Sequence, residues 1–212
     1  MTRGRFITLE GGEGAGKSTQ VRLLAEALRA GGINALATRE PGGSPGAEQI
    51  RALLVDGAVE RWDALTEALL HCAARREHLV NTVEPALAAG TWVVSDRFAD
   101  STVAYQGYGL GLGAEAVAEI NKITVGDFAP DLTIVLDLPP EEGLARAVGR
   151  GDGAQRYERM TLDFHRRLRQ GFLEIAKGEP GRCAVVDARP GAAEVQQAIR
   201  RIVAERLGAA LT

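Results

Sequence analysis

Eight consecutive residues near the start of the chain carry its strongest chemical signal. Gly11-Gly12-Glu13-Gly14-Ala15-Gly16-Lys17-Ser18 fits the pattern G-x-x-x-x-G-K-[ST], with Thr19 following, and that spacing suits a loop that cradles the phosphates of a nucleotide. Glycines let the backbone fold around an anion with its N–H groups inward, and a helix that opens there adds favourable partial charge. Lys17 is placed to neutralise the β- and γ-phosphates, and the Ser18 hydroxyl to face Mg2+.

A phosphate-binding loop serves switches, motors and small-molecule kinases alike, so the remaining polar residues must discriminate. Asn121-Lys122-Ile123-Thr124 is near the guanine-reading N-K-x-D, but it ends in Thr and falls in a helical pattern, so it reads as a solvated helix face. Asp96-Arg97 closes a strand pattern. Gly149-Arg150-Gly151-Asp152-Gly153-Ala154-Gln155 is too glycine-rich and polar to pack, and Arg146 and Arg156 flank it. A phosphorylated acceptor approaching a nucleoside triphosphate brings two anions together, so several cations must surround the transferred group. Thr102, Tyr105 and Gln106 stand at i, i+3 and i+4 on one predicted helix face, and His71 and Arg75 are four apart. Such a set suits a second small-molecule site, which a switch does not need.

Five short apolar segments, alternating with helical periodicity, must position these residues. Strands are expected at 6–10, 33–38, 92–95, 132–138 and 184–186. The fourth is almost wholly apolar, as a parallel strand covered on both faces requires, and Pro41-Gly42-Gly43 ends the second. Val21, Leu24, Ala25 and Leu28 mark one helix, and Leu65, Leu69 and Cys72 the apolar face of another. Met160, Phe164, Leu168 and Phe172 form an i+4 ladder on one long helix; Val195, Ile199, Ile202 and Val203 mark the last. The predicted class is α/β, a five-stranded parallel sheet with helices on both faces. One domain, residues 1–212, holds its crevice beyond the carboxyl ends of the strands.

Composition bounds the partners. The 212 residues are 45% hydrophobic and 25% charged, an ordinary globular balance that excludes a disordered or collagen-like chain. A net charge of -3 argues against a nucleic-acid polymer as partner. Lys occurs only at positions 17, 122 and 177, so arginine supplies nearly all the positive charge, and arginine grips phosphate in a bidentate fork. No uncharged apolar run nears the roughly 18 residues of a membrane span, and residues 1–5 lack the apolar region of a signal peptide. Cys72 and Cys183 stand apart, without zinc-ligand spacing. A cytoplasmic protein with reduced cysteines and no membrane partner is expected.

Thr38-Arg39-Glu40-Pro41-Gly42-Gly43, Asp96-Arg97-Phe98 and Ser101-Thr102-Val103-Ala104-Tyr105-Gln106-Gly107 follow the loop in that order. With Ala73-Ala74-Arg75-Arg76-Glu77-His78 and Gly126-Asp127-Phe128-Ala129-Pro130-Asp131-Leu132-Thr133, they resemble the bacterial thymidylate kinases over nearly the whole chain. The resemblance implies a P-loop kinase fold with a mobile lid at about 149–157, usually a homodimer. It implies transfer of the ATP γ-phosphoryl group to dTMP with Mg2+, giving dTDP and ADP in dTTP biosynthesis. By the same resemblance, Lys17, Arg51 and Arg97 lie near the phosphates, and Asp96, with Ser18, holds hydrated Mg2+. Glu13 matches a carboxylate that receives the sugar 3′-hydroxyl, Tyr105 a ring against the deoxyribose, and Glu40 a residue close to the acceptor phosphate. Arg75, Thr102 and Gln106 match residues around the thymine, with Ser101 also in the acceptor site, and His71 stands where many relatives carry a stacking Phe. The catalytic arginines would come from the lid, as Arg150 and Arg156, the latter in Gln155-Arg156-Tyr157-Glu158 where the family has D-R-[FY]-E. Taken without the resemblance, the residues leave open another nucleoside monophosphate kinase of this fold, or a nucleotide-dependent switch.

Overall fold

A strand covered on both faces has no solvent side, and β1 (Phe6–Glu10) meets that condition with all five side chains buried. The computed structural model describes residues 2–148 and 156–211. Within them β1 is followed by α1 (Lys17–Ala30), β2 (Ala35–Arg39), α2 (Pro45–Val55), α3 (Ala64–His78), α4 (Glu84–Ala88) and β3 (Trp92–Asp96). Then come α5 (Ala99–Thr102), α6 (Ala114–Val125), β4 (Leu132–Asp137), α7 (Pro140–Val148), α8 (Leu162–Gly178), β5 (Cys183–Asp187) and α9 (Ala192–Leu207). All strand pairs are parallel, in the order β2-β3-β1-β4-β5. The expected α/β class, five-stranded parallel sheet and alternation are present. Among the described residues, no helix is long and apolar enough to cross a membrane.

The period-two alternation of β1 divides the core. Ile7 and Leu9 join Leu24 and Leu28 of α1 and Ile199 and Val203 of α9 on one face. Phe6 turns to the other face, against Val93, Phe98, Leu79 and Leu87. Further along that face Tyr105 and Val135 pack with Phe164, Leu168 and Phe172 of α8.

Several boundaries differ from the sequence reading, each for a local reason. β2 starts at Ala35 and not at 33, because the α1 terminus takes Ile33 into its closing turn: Gly32 adopts φ 79° and the Ile33 N–H reaches the Leu28 carbonyl at 2.9 Å. Met160 is not the first rung of α8, since the Thr161 hydroxyl caps the helix by accepting from Phe164 N at 3.3 Å. On α3, Leu65 and Leu69 are 46% and 50% exposed, so they do not face the core. The inward side carries Glu67, Cys72, Arg75 and His78 instead. Thr102, Tyr105 and Gln106 do not share a plain α-helix either, because α5 runs into a π-helical turn, Val103–Gly109.

The crevice lies where the carboxyl ends of β1 and β3 diverge, and one buried carboxyl holds its corner. Glu10, wholly unexposed, accepts from Phe98 N at 2.7 Å and from Ser101 Oγ at 2.5 Å. Burial, reinforced by Asp100, lifts its pKa from 4.5 to about 8, against the lowering pull of those hydrogen bonds and of Arg97. The folded chain therefore keeps a proton that the unfolded chain releases near its ordinary value. That contribution to stability is complete below about pH 4.5 and is lost as the pH rises through about 8. Urea unfolding midpoints of the native chain should fall across this window, and Glu10→Gln should flatten the fall. Equal slopes for the two proteins would show that Glu10 ionises normally in the fold.

Candidate active site

The loop between β1 and α1 has the backbone its glycines promise. Gly14 and Gly16 have φ of 68° and 88°, and a Cβ on Gly14 would collide with the Gly143 carbonyl. Lys17 folds back over the loop, donating to the carbonyls of Gly11 at 3.1 Å and Gly12 at 2.7 Å. Burial, then the nearby Arg97, lowers its pKa from 10.5 to about 8, while Glu13, Asp96 and Glu10 pull it upward. Ser18 Oγ donates to Asp96 Oδ2 at 2.5 Å. Loop residues Glu13, Gly14, Gly16, Lys17, Ser18 and Thr19 wall one cleft.

Arg97 sits where this cleft meets a second pocket. Its φ of 74° is the one positive value among the described non-glycine residues, a left-handed conformation that costs strain and persists when surroundings fix it. Its N–H bonds to the Leu9 carbonyl at 3.0 Å, and Ser95 Oγ donates to its carbonyl at 2.8 Å. The guanidinium donates to the Gly11 carbonyl and Ser101 Oγ, each at 3.2 Å, to Glu13 Oε1 at 3.1 Å and to the Tyr105 hydroxyl at 2.7 Å. Burial opposes its charge, but Tyr105, Glu13, Asp96 and Glu10 more than offset this and hold the proton more tightly. Glu13 also accepts from Tyr105 OH at 2.5 Å. Burial alone would raise the Glu13 pKa, yet Arg97, Lys17 and the Tyr105 hydrogen bond bring it from 4.5 down to about 2.

All ten residues expected at the acceptor, namely Glu13, Glu40, Arg51, His71, Arg75, Arg97, Ser101, Thr102, Tyr105 and Gln106, line the second pocket. Glu13, Glu40, Arg51 and Arg97 line both cavities, so the two open into each other at a rim of two carboxylates and two guanidiniums. Arg51 Nη1 donates to the Pro41 carbonyl at 2.7 Å. Arg75, only 2% exposed, donates to Glu40 at 2.8 Å, Asn121 at 3.0 Å, the Phe98 carbonyl at 3.0 Å and Thr102 Oγ1 at 2.8 Å. Glu40 holds Arg75 on one oxygen and His78 Nδ1, at 2.9 Å, on the other. His71 is kept neutral, burial and then Arg75 pushing its pKa from 6.5 down to about 3. Its Nε2 lies 2.9 Å from the Tyr157 hydroxyl.

Arg156 departs from its expected place. The side chain is 1% exposed, lines neither cavity and is tied to the α2–α3 connection. It donates to the carbonyls of Ala58 at 3.0 Å and Val59 at 2.6 Å, and forms an ion pair with Glu67. The physical reason is the supply of acceptors: carbonyls beyond the end of α2 have no helical partner, and five guanidinium N–H groups take them up beside a buried carboxylate. Arg150, like the rest of 149–155, lies outside the described residues. The sequence reading missed Glu67, His78, Asn121 and Tyr157. Glu67, His71, Arg75 and His78 succeed one another at steps of four, four and three, so helical spacing from His71 and Arg75 could have found the outer two. Asn121, expected on a solvated helix face, is instead buried and accepts from Arg75, and Tyr157 stood in the sequence only as the neighbour of Arg156.

Ser18 and Asp96 are hard oxygen donors beside the phosphate loop, the kind of partial shell that Mg2+ completes with phosphate oxygens and water. Among the described residues there is no cluster of three or more His, Cys, Asp or Glu that would form a self-sufficient metal cage.

The thymidylate kinase family profile matches residues 9–199. Thymidylate kinase of Caulobacter vibrioides is 55% identical over 208 residues, spanning 98% of this chain and 100% of that protein. The Gluconobacter oxydans thymidylate kinase is 54% identical over 208 residues, spanning 97% and 96%. The crystal structure of thymidylate kinase from Ehrlichia chaffeensis superposes with a TM-score of 0.74 at 36% identity, covering 95% of this chain and 99% of that one. Both cavities and the arginine that joins them fall within the matched span, and the chain belongs to the thymidylate kinase family.

Proposed function

We propose that the protein moves the γ-phosphoryl group of ATP onto the 5′-phosphate of dTMP, giving ADP and dTDP in dTTP biosynthesis. The observation that carries this reading is the shared rim: a phosphate-loop cleft and a mixed polar pocket meet at Arg51 and Arg97. A hydrolytic switch needs no second pocket, and one domain houses both subsites.

Lys17 and Arg97 face the converging phosphates and stabilise the charge that develops on the transferred group. Arg97 is held by the Gly11 carbonyl, Ser101, Tyr105 and Glu13, so little reorganisation is needed when the phosphates arrive. Ser18 and Asp96 would hold Mg2+, which supplies further positive charge at the ATP phosphates. The Glu13 carboxylate receives the sugar 3′-hydroxyl, Tyr105 packs against the deoxyribose, and Arg75, Thr102, Gln106 and the neutral His71 ring surround the base. Glu40 orients Arg75 and stands beside Arg51 at the acceptor phosphate. Arg150, outside the described residues, is the further arginine we assign to the transferred phosphoryl group. The Cys72 and Cys183 thiols are free and buried, which suits the reducing cytoplasm. Leu65 and Leu69 project outward from α3, whose neighbours α2 and α6 carry exposed Leu53 and Ile123, and this face suits a second copy of the chain.

A coupled ADP-release assay with a panel of nucleoside monophosphates tests the reaction. dTMP should exceed dUMP in kcat/KM by the value of one methyl group, about 10–200-fold, with dCMP poorer still. Equal use of dTMP and dCMP would overturn the thymine pocket. In the same assay Lys17→Ala, Arg97→Ala and Arg150→Ala should each lower kcat on the order of a hundredfold, and near-normal turnover of any of them would remove that residue from the mechanism.

With its pKa lowered to about 8 by burial and Arg97, Lys17 is about half charged at that pH. Triphosphate favours the ammonium form, so ATP binding at pH 8 should take up a fraction of a proton and weaken as the pH rises further. Calorimetry in two buffers of different ionisation heat reads that uptake; none at all would mean Lys17 is already fully charged. For the assembly, sedimentation should give twice the 22.5 kDa chain mass, and Leu69→Glu should give the monomer. A native chain that sediments as a monomer at micromolar concentration would refute the interface.

A further inference from the structure

The wall of the base pocket is oriented by a carboxylate that lies behind it. Glu67 has no exposed surface and does not line the pocket. Its Oε1 accepts from Gln106 Nε2 at 2.8 Å and from the Tyr157 hydroxyl at 2.9 Å, while its Oε2 meets Arg156 in an ion pair. An arginine does not lose its proton inside a protein, so the Glu67 carboxylate facing it acts only as an acceptor.

The polarity of the neighbouring bonds then follows from donor arithmetic. Gln106 must turn its NH2 toward Glu67, which leaves the amide oxygen for the pocket that Gln106 lines. Tyr157 directs its one proton at Glu67, so its oxygen accepts from His71 Nε2 at 2.9 Å and from Gln106 Nε2 at 3.4 Å. The amide cannot reverse cheaply. A flipped Gln106 would set its carbonyl against a buried carboxylate oxygen, two acceptors with no proton between them.

We propose that Glu67 is a positioning residue for base selection: by fixing the Gln106 amide with its NH2 inward, it presents a carbonyl acceptor to the ring-nitrogen edge of the acceptor base. That wall takes a pyrimidine carrying N3–H, as thymine and uracil do, and rejects one whose N3 is a lone pair, as in cytosine. The inference rests on the base pocket assigned above, and it goes further by naming the group outside that pocket which sets its donor–acceptor pattern.

Glu67→Gln tests it because Arg156 still demands an acceptor. The new amide must aim its oxygen at Arg156 and its NH2 at Gln106, which drives Gln106 to flip and show a donor to the pocket. The expected result is a dTMP/dCMP ratio of kcat/KM lowered at least tenfold, with kcat/KM for dCMP rising in absolute terms and the KM for ATP unchanged. Proportional loss on both acceptors would overturn the proposal. Gln106→Leu separates it from the reading beneath: if that variant keeps the native ratio, the base-pocket assignment fails. If instead it abolishes the ratio while Glu67→Gln preserves it, the role of Glu67 fails alone. Should Glu67→Gln not fold, the 15N-labelled native protein supplies the answer. The Gln106 side-chain NH2 signal, assigned by its loss in Gln106→Leu, should be protected from solvent exchange before dTMP is added. Rapid exchange would place the NH2 in the open pocket and overturn the proposal.

Discussion

A guanidinium that must receive two phosphates has to be held firmly without being neutralised, and the rest of this structure is arranged around how Arg97 meets that constraint. Its left-handed backbone turns the chain at the end of β3 so that the side chain points across the crevice and not along the strand. Most of its partners are neutral oxygens, from the Gly11 carbonyl, Ser101 and Tyr105, while Glu13 contributes the direct charge. Glu10 fits the same logic. A carboxyl that keeps its proton near neutrality can hold Phe98 and Ser101 in place without adding a full negative charge beneath the site.

The inward face of α3 shows the cost of building a polar pocket inside an α/β core. Two leucines that would ordinarily be buried are turned out, and Glu67, Arg75 and His78 are buried in their place. Buried polar and charged groups are tolerable only when paired and hydrogen-bonded, and here each has a partner: Arg75 with Glu40, Glu67 with Arg156, and the His78 ring with Glu40. This network supplies specificity more than stability, since it fixes which atoms face the base. It also joins the acceptor pocket to residues 156–157, so the chain immediately after 149–155 is anchored on the same carboxylate that orients Gln106.

Function here is distributed between elements far apart in sequence. The phosphate loop and Arg97 are brought together by the parallel pairing of β1 with β3, with Leu9 opposite Asp96. Tyr157 reaches His71, and Arg182 reaches Asp100. Thr8 and Thr133 share a hydrogen bond of 2.8 Å between the two central strands. A loop-only or helix-only variant of this site would lack the frame that sets these distances.

The sequence by itself determined whatever depends on local pattern. The almost wholly apolar stretch at 132–138 marked β4 as a parallel strand covered on both faces, and the spacing of glycines with Lys17 and Ser18 fixed the loop, because backbone wrapping around phosphate needs those residues in that order. Ten of the residues that line the acceptor pocket were legible as types and, through family resemblance, as a group. Tertiary structure alone decided their orientation. Leu65 and Leu69 face outward because polar partners from the residue after β2, the end of α5, the π-helical turn and residue 156 claim the inner side of α3. Arg156 lies with Glu67 and not among the phosphate ligands, because the nearest unpaired carbonyls and a buried anion were on that side. Residue type and spacing say which groups a site has to work with; which donor meets which acceptor depends on distances between distant segments, and those exist only once the chain has packed.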